Sequence, residues 1–195
     1  MPFLIFATGN PHKIKEVSQL LGEAWDIRSL SEMGITEELP ENQDTLEGNA
    51  LEKARYIYEK LGENCFAEDT GLEIEALGGA PGVYTARFAG EDKDPDANMN
   101  RALELLRGQT NRRARFRTVV ALILDGREFL FEGIAEGNIR LEKSGAQGFG
   151  YDPIFEPDGF TQTFAQMDAA LKNRISHRGK AIQKLIAFLS SRATH

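Results

Sequence analysis

A chain of 195 residues suffices for one domain with a sizeable core, or for two close-packed lobes sharing one sheet, and 41% hydrophobic with 27% charged residues is ordinary for a soluble globular protein. The formal net charge of −7 argues against nucleic acid as the main partner, because gripping a polyanion needs a broad basic surface. One cysteine, Cys65, rules out an internal disulfide framework, no apolar run nears membrane-span length, and the Met1–Ala7 start is too short for a signal-peptide core. A cytoplasmic protein with no membrane partner is expected.

Residues 3–7 are unbroken in apolar character and read as a buried strand. Asn10 is a good N-cap and Pro11 suits a first helical position, so a helix with the stripe Ile14, Val17 and Leu21 runs to Gly22. A second helix is expected from about Thr45 to Leu61, with Asp44 and Glu47 at capping-box spacing and Ala50, Ala54, Ile57 and Leu61 buried. Strands follow at residues 65–67 and 72–77, and Asp94-Pro95 starts a third helix ending at Gly108. Residues 115–124 and 127–136 form a β-hairpin around Asp125-Gly126, and a last helix from Ser176 carries Ala181, Ile182, Leu185, Ile186 and Leu189 on one face. The order is mixed rather than strictly alternating, which defines an α/β fold with a mixed β-sheet, taken as a single domain over residues 1–195.

The most informative stretch is Gly148 to Phe155, GFGYDPIF. Two glycines let backbone approach a ligand, and Phe149 and Tyr151 offer planar rings for stacking. Near the N-terminus, Thr8-Gly9-Asn10 lies between a strand and a helix, where free N–H groups and the helix dipole favour an anion, with Lys13 one turn in. A plain capped helix with a solvated lysine accounts for the same residues, and the loop is not a Walker A sequence. Asn49 and Lys53, four apart, project from one face opposite the apolar stripe, where Lys53 either reaches a phosphate or is simply solvated. Glu68-Asp69-Thr70-Gly71 is expected as a turn after a short strand. With Glu38 and Glu41 upstream it forms a plausible Mg²⁺ site in which one carboxylate takes a proton from water, or else merely an acidic turn. Lys172, Asn173 and Arg174 followed by Ser176-His177-Arg178 gather donors at a helix start, which suits an acceptor-rich ligand as well as ordinary capping. The basic run around Arg113, Arg115 and Arg117 alternates with Ala114, Phe116 and Thr118 and reads as the solvated face of a strand.

The ordered set TGNPHK (8–13), EGNALEKA (47–54), AEDTGLEIEALGGAPGVYTARFAG (67–90), GFGYDPIF (148–155), TFAQM (163–167) and KNRISHRGKA (172–181) closely resembles the inosine triphosphate pyrophosphatase family over nearly the whole chain. The resemblance implies an elongated mixed β-sheet flanked by helices, with two lobes and the active site in the cleft between them, usually as a homodimer. It implies Mg²⁺-dependent hydrolysis of ITP, dITP and XTP to the monophosphate and pyrophosphate, cleansing the nucleotide pool. By the same resemblance Thr8, Gly9, Asn10, Pro11, His12 and Lys13 contact the triphosphate with Lys53 nearby, Asp69 is the general base and a metal ligand, and Thr70 contacts substrate. Glu41 and Glu68 are further candidate metal ligands, while Phe149, Gly150, Tyr151, Asp152, Lys172, His177 and Arg178 resemble the base and sugar pocket. Many bacterial relatives carry two aspartates where this chain has Glu68-Asp69, and a Pro-Arg-Gly approach where it has Glu142-Lys143-Ser144-Gly145.

The expected chemistry is in-line attack by a water that a carboxylate orients, with pyrophosphate leaving under Mg²⁺, Lys13 and backbone N–H stabilisation. Donors from Arg178 and the 148–152 backbone would pair with the six-position oxygen of inosine or xanthine and face the amino group of adenine donor to donor. The rivals are a pyrophosphatase for modified pyrimidine or methylated nucleotides, a non-catalytic nucleotide sensor and, least favoured by charge, a nucleic-acid-binding module.

Overall fold

The structure is a computed structural model and describes residues 3–193, so Met1 and Pro2 of the opening stretch lie outside the described residues. In chain order it forms β1 (Phe3–Phe6), α1 (Pro11–Leu21), β2 (Asp26–Ser29), α2 (Leu46–Leu61), β3 (Cys65–Ile74), α3 (Pro95–Leu105), β4 (Arg113–Leu124), β5 (Arg127–Ile139), β6 (Phe155–Pro157), α4 (Ala169–Ile175) and α5 (His177–Ala193). One 6-stranded sheet has the order β2-β1-β3-β4-β5-β6. β1 pairs in parallel with both β2 and β3, whereas β5 pairs with β6 antiparallel, so the sheet is mixed and the α/β expectation is borne out.

Local chemistry explains the helix ends. Asn10 sits in extended backbone and its side chain accepts from the N–H groups of His12 and Lys13, Pro11 fills the first position of α1, and Gly22 closes it. α2 is capped by Thr45, which accepts from Gly48 N, and not by the expected Asp44; Gly62 in left-handed backbone ends it. α3 begins at the Asp94 cap as expected but ends at Leu105, before Gly108. β2, β6 and α4 are additions to the sequence reading. The largest difference is β3, a single strand through Glu68, Asp69, Thr70 and Gly71, where a turn between two shorter strands was expected.

The chain divides into two compact units. Among the described residues, the first comprises residues 3–69, 118–133 and 178–193. In its core Leu4 and Phe6 of β1, Phe66 of β3 and Val120 and Leu122 of β4 pack with Val17 and Leu21 of α1 and Ala181, Ile182, Leu185 and Leu189 of α5. The Phe6 and Phe66 rings stack at 4.6 Å and 8°. Each such fully buried apolar side chain contributes about 1.5–3 kcal/mol relative to exposure. The second unit comprises residues 70–117 and 134–177. Its core joins Leu72 and Ile74 with Met99, Ala102 and Leu106, and with Phe116, Phe155 and Phe164; the Phe155 ring meets Phe116 edge-on and Phe164 at a tilt, while Phe116 and Phe164 stack. On the polar side of this unit Arg115 and Arg117 both pair with Glu73, and Arg113 pairs with Asp158, so the basic run is a strand face bearing ion pairs.

Candidate active site

The side chains singled out from the sequence fall into two clusters, one in each unit. In the first unit β3 carries two adjacent carboxylates, Glu68 and Asp69, at 1% and 7% exposure. A strand places neighbours on opposite faces, so burying both requires cations from elsewhere on each side. Glu68 receives them from both ends of the chain. Lys13 Nζ of α1 lies 2.9 Å from Oε1, and Arg178 of α5 donates Nε to Oε2 at 2.9 Å and Nη2 to Oε1 at 3.1 Å. Arg178 Nη1 reaches Glu16 Oε2 at 2.5 Å. Burial alone would raise the Glu68 carboxyl, but Arg178 and Lys13 outweigh it and hold it well below its ordinary value. The same pairing overcomes burial at Arg178, whose guanidinium is raised.

Asp69 has a different environment. Its Oδ1 lies 3.5 Å from Lys53 Nζ, its buried Oδ2 makes no hydrogen bond of ordinary geometry among the described residues, and the nearby Asn49 side chain adds a weaker favourable contact to the carboxylate. Burial is the dominant influence and pushes Asp69 above its ordinary 3.8, although Lys53 and Lys13 pull the other way. Of the two sequence readings of Lys53, the solvated lysine on a polar helix face is not what the structure shows. Lys53 is 5% exposed beside the stripe, donating to Glu41 Oε1 at 2.7 Å and to the Glu68 carbonyl at 2.8 Å. Burial disfavours its charge, yet Asp69, Glu41 and Glu68 together raise it, so the ammonium stays protonated. Asn49, also expected on that polar face, is 3% exposed.

Thr8 and Asn10 act as acceptors here. Thr8 Oγ1 takes Asn10 N at 3.2 Å, and Asn10 Oδ1 takes His12 N at 3.0 Å and Lys13 N at 3.3 Å. Gly9, Pro11 and His12 are exposed at this helix start, and Glu38 is exposed upstream of Glu41.

In the second unit the glycine-aromatic loop is tied by one carboxylate oxygen. Asp152 Oδ2 accepts from Phe149 N at 2.9 Å and from Lys172 Nζ of α4 at 2.6 Å. A Cβ on Gly148, at φ +73, would stand 2.0 Å from that oxygen, so glycine is required there; Gly150 has open space instead. The Lys172 ammonium lies 5.1 Å from the Phe149 ring centroid. Phe149 is half-buried, but Tyr151 is 3% exposed, with its hydroxyl donating to the Thr85 carbonyl at 2.7 Å and its phenol raised by burial. Tyr151 is therefore a core anchor of the loop rather than a second open stacking face. The His177 ring is buried against Phe116 at 4.5 Å and 16°, and Thr70 is half-buried on β3.

The TFAQM stretch also has a visible task. Thr163 Oγ1 donates to the Ser144 carbonyl at 2.6 Å, and Gln147 N donates to the Ala165 carbonyl at 2.9 Å, so it holds the approach to Gly148. Sequence reasoning missed Glu16, whose signal was its place one turn after Lys13, and Glu52, which lies three residues after Asn49.

Among the described residues no three His, Cys, Asp or Glu side chains converge as a ready-made metal site. Mg²⁺, however, takes one or two carboxylates, several waters and substrate phosphates, and the buried Asp69 Oδ2 with Glu41 one ammonium away fits that demand. Both Glu68 oxygens are already engaged by cations, so it fits a metal less well.

This is a mixed-sheet α/β protein whose buried strand carboxylates, Glu68 and Asp69, are met by cations from three helices. The chain belongs to the Ham1 family, whose sequence model matches residues 4–188. It is 50% identical over 188 residues to a dITP/XTP pyrophosphatase of Flavobacterium johnsoniae, covering 96% of this chain and 98% of that one, and 50% identical over 190 residues to that of Porphyromonas gingivalis, covering 97% and 98%. The structure is similar to the Ham1 protein of Staphylococcus aureus, with TM-score 0.88 and 36% identity over 97% of this chain and 98% of that one. A HAM1 protein from Coxiella burnetii gives 0.90 and 34%, covering 98% and 100%. The family resemblance carried by the motifs is thus borne out.

Proposed function

We propose that this chain hydrolyses the non-canonical purine nucleoside triphosphates ITP, dITP and XTP to the monophosphate and pyrophosphate, with Mg²⁺ as cofactor. Asp69 is the observation that carries the reading, a carboxylate raised by burial with one oxygen left for a new partner. The relatives' shared name, dITP/XTP pyrophosphatase, supports the substrate class.

Asp69 and Glu41 are the residues that would hold the metal, and when bound the ion supplies charge neutralisation on the phosphate oxygens. The protein's own contribution begins with Lys53, which keeps Glu41 and Asp69 charged side by side. The Asp69 carboxylate would orient the attacking water and accept its proton, a role that a raised carboxyl pKa improves. Lys13, 16% exposed and resting on Glu68, is the cation that turns from its carboxylate toward the departing pyrophosphate. Phe149 stacks on the purine, and the loop fixed by Asp152 and Lys172 presents backbone donors to the six-position oxygen. Arg178 acts through Glu68, since its guanidinium donates to Glu68 through Nε and Nη2 and to Glu16 through Nη1. Removal of deaminated purines from the nucleotide pool by a cytoplasmic homodimer completes the proposal.

The test is a hydrolysis panel of ITP, XTP, dITP, GTP, ATP and dTTP with and without Mg²⁺, separating pyrophosphate from single phosphate. Pyrophosphate from the first three, with ATP nearly inert, is expected. Single phosphate, or equal use of all six, would overturn the reading.

A further inference from the structure

The segment Glu41–Gln43 has no regular secondary structure, and Glu37, Glu38 and Asp44 flank it with like charge. Left to itself such a segment would extend into solvent, because neighbouring carboxylates repel and ordering backbone costs entropy. It is instead gripped residue by residue by one face of α2. Glu41 Oε1 accepts from Lys53 Nζ at 2.7 Å. Asn42 donates its backbone N–H to Glu52 Oε2 at 2.7 Å and its side-chain amide to Glu52 Oε1 at 3.2 Å. Gln43 N donates to Asn49 Oδ1 at 2.9 Å. Residues 49, 52 and 53 stand at i, i+3 and i+4, which is what lets one helix face meet three consecutive residues.

Two further features belong to the same contact. A Cβ on Gly48 would stand 2.7 Å from Gln43 Cβ, so the glycine permits the segment to lie against the helix. The Asn42 N–H lowers the Glu52 carboxyl below its ordinary value, so Glu52 remains a charged acceptor. Both Glu52 oxygens point at Asn42, which makes Glu52 a holder of the segment rather than a metal ligand. The EGNALEKA stretch thereby gains roles beyond Lys53.

We propose that Asn49 and Glu52 are positioning residues that hold Glu41 beside Lys53 and Asp69, preorganising the carboxylate pair for a divalent cation. The inference rests on the metal-dependent reading above. Its physical basis is that a ligand held in place before binding spares the ion the cost of ordering an acidic segment. Glu52 never touches the cation, so its loss weakens metal binding without removing a ligand.

The probe is Mn²⁺, titrated without nucleotide and followed by the paramagnetic signal of the free ion, for the wild type, Glu41→Gln, Glu52→Ala and Glu52→Gln. Each is also melted without metal, and the Mg²⁺ concentration for half-maximal ITP hydrolysis is measured. Glu52→Ala should bind Mn²⁺ about tenfold more weakly and raise the Mg²⁺ requirement similarly, with KM for ITP at saturating Mg²⁺ unchanged. Glu52→Gln, which keeps an acceptor for Asn42 N, should recover most of the affinity. If Glu41→Gln weakens Mn²⁺ binding but Glu52→Ala does not, the positioning role is overturned and the metal reading stands. If the wild type and Glu41→Gln behave alike, both fall together. A Glu52→Ala protein whose melting temperature collapses without metal would show a fold-holding role and overturn the proposal as well.

Discussion

Arg178 lays its guanidinium along the Glu68 carboxylate, Nε to Oε2 at 2.9 Å and Nη2 to Oε1 at 3.1 Å, across a sequence separation of 110 residues. Both partners are buried, with Glu68 1% and Arg178 2% exposed. Breaking such a pair by removing one member costs about 3–5 kcal/mol, because the other charge is left in a poor solvent.

The first prediction is the acid sensitivity that follows. Glu68 has a folded pKa below its ordinary 4.5, so its contribution is fully present above that value and is lost as pH falls toward the folded one. Glu68→Gln should lower the melting temperature at pH 7. The gap to the wild type should shrink progressively below about pH 4.5, where the unfolded chain takes up the proton first. A gap that stays constant from pH 7 to pH 3 would remove Glu68 as the titrating group.

Arg178→Ala tests the same contact from the other side. Since the guanidinium serves Glu68 and Glu16, its loss should reduce stability by about 3 kcal/mol and cut hydrolysis of ITP and of ATP by similar factors. If the variant folds normally and selectively loses activity on ITP, Arg178 reads the base directly.

How much of this was legible beforehand can be traced through particular residues. α1 was readable because its Asn10 cap, Pro11 and Gly22 are local signals, and the hairpin turn at Asp125-Gly126 was readable for the same reason. β3 was not, because Glu68 and Asp69 break the apolar pattern of a buried strand, and what makes them tolerable arrives from Lys13, Lys53 and Arg178. α4 was missed because its seven residues are too short for a periodic stripe. Of the site, the residue types were readable from motifs and their partnerships were not. Lys53 reads as a solvated helix lysine until Glu41 and the Glu68 carbonyl are placed around its ammonium.

Asp69→Asn should separate function from stability. A folded pKa raised above 3.8 means that ionised Asp69 costs stability at neutral pH, the cost appearing as pH rises through the folded value. The amide removes that buried charge, so the melting temperature at pH 7 should stay level or rise. Turnover of ITP should fall by about 10²–10³ or more, the scale associated with a well-placed catalytic group. Near-normal turnover in the folded variant would dismiss Asp69 as the base.

The glycine-aromatic loop yields a paired test. Gly148→Ala puts a Cβ 2.0 Å from Asp152 Oδ2, the oxygen that holds both Phe149 N and Lys172 Nζ, whereas Gly150→Ala meets nothing within 4 Å. Both glycines have positive φ, so both variants carry about 1–2 kcal/mol of backbone strain, and only the first also displaces the carboxylate. Gly148→Ala should therefore raise KM for ITP by about tenfold or more, with Gly150→Ala several-fold less affected. Equal effects would mean that backbone strain alone, rather than the Asp152 contact, governs the loop.

Cys65 is the protein's own reporter of opening. It is fully buried on β3, its thiol donates to the Ala54 carbonyl at 3.2 Å, and burial pushes it up to about 12. Thiolate is the reactive species, so at pH 8 the folded protein should resist iodoacetamide and be labelled only when α2 leaves β3. Labelling followed by mass spectrometry should thus track unfolding and accelerate in urea through the unfolding transition. A nucleotide that binds only the folded state should slow it about a hundredfold at 100 times its Kd, by mass action. Stoichiometric labelling of the native protein within minutes would show instead that the β3–α2 contact opens locally, in a part of the fold that carries Lys53 and Asp69.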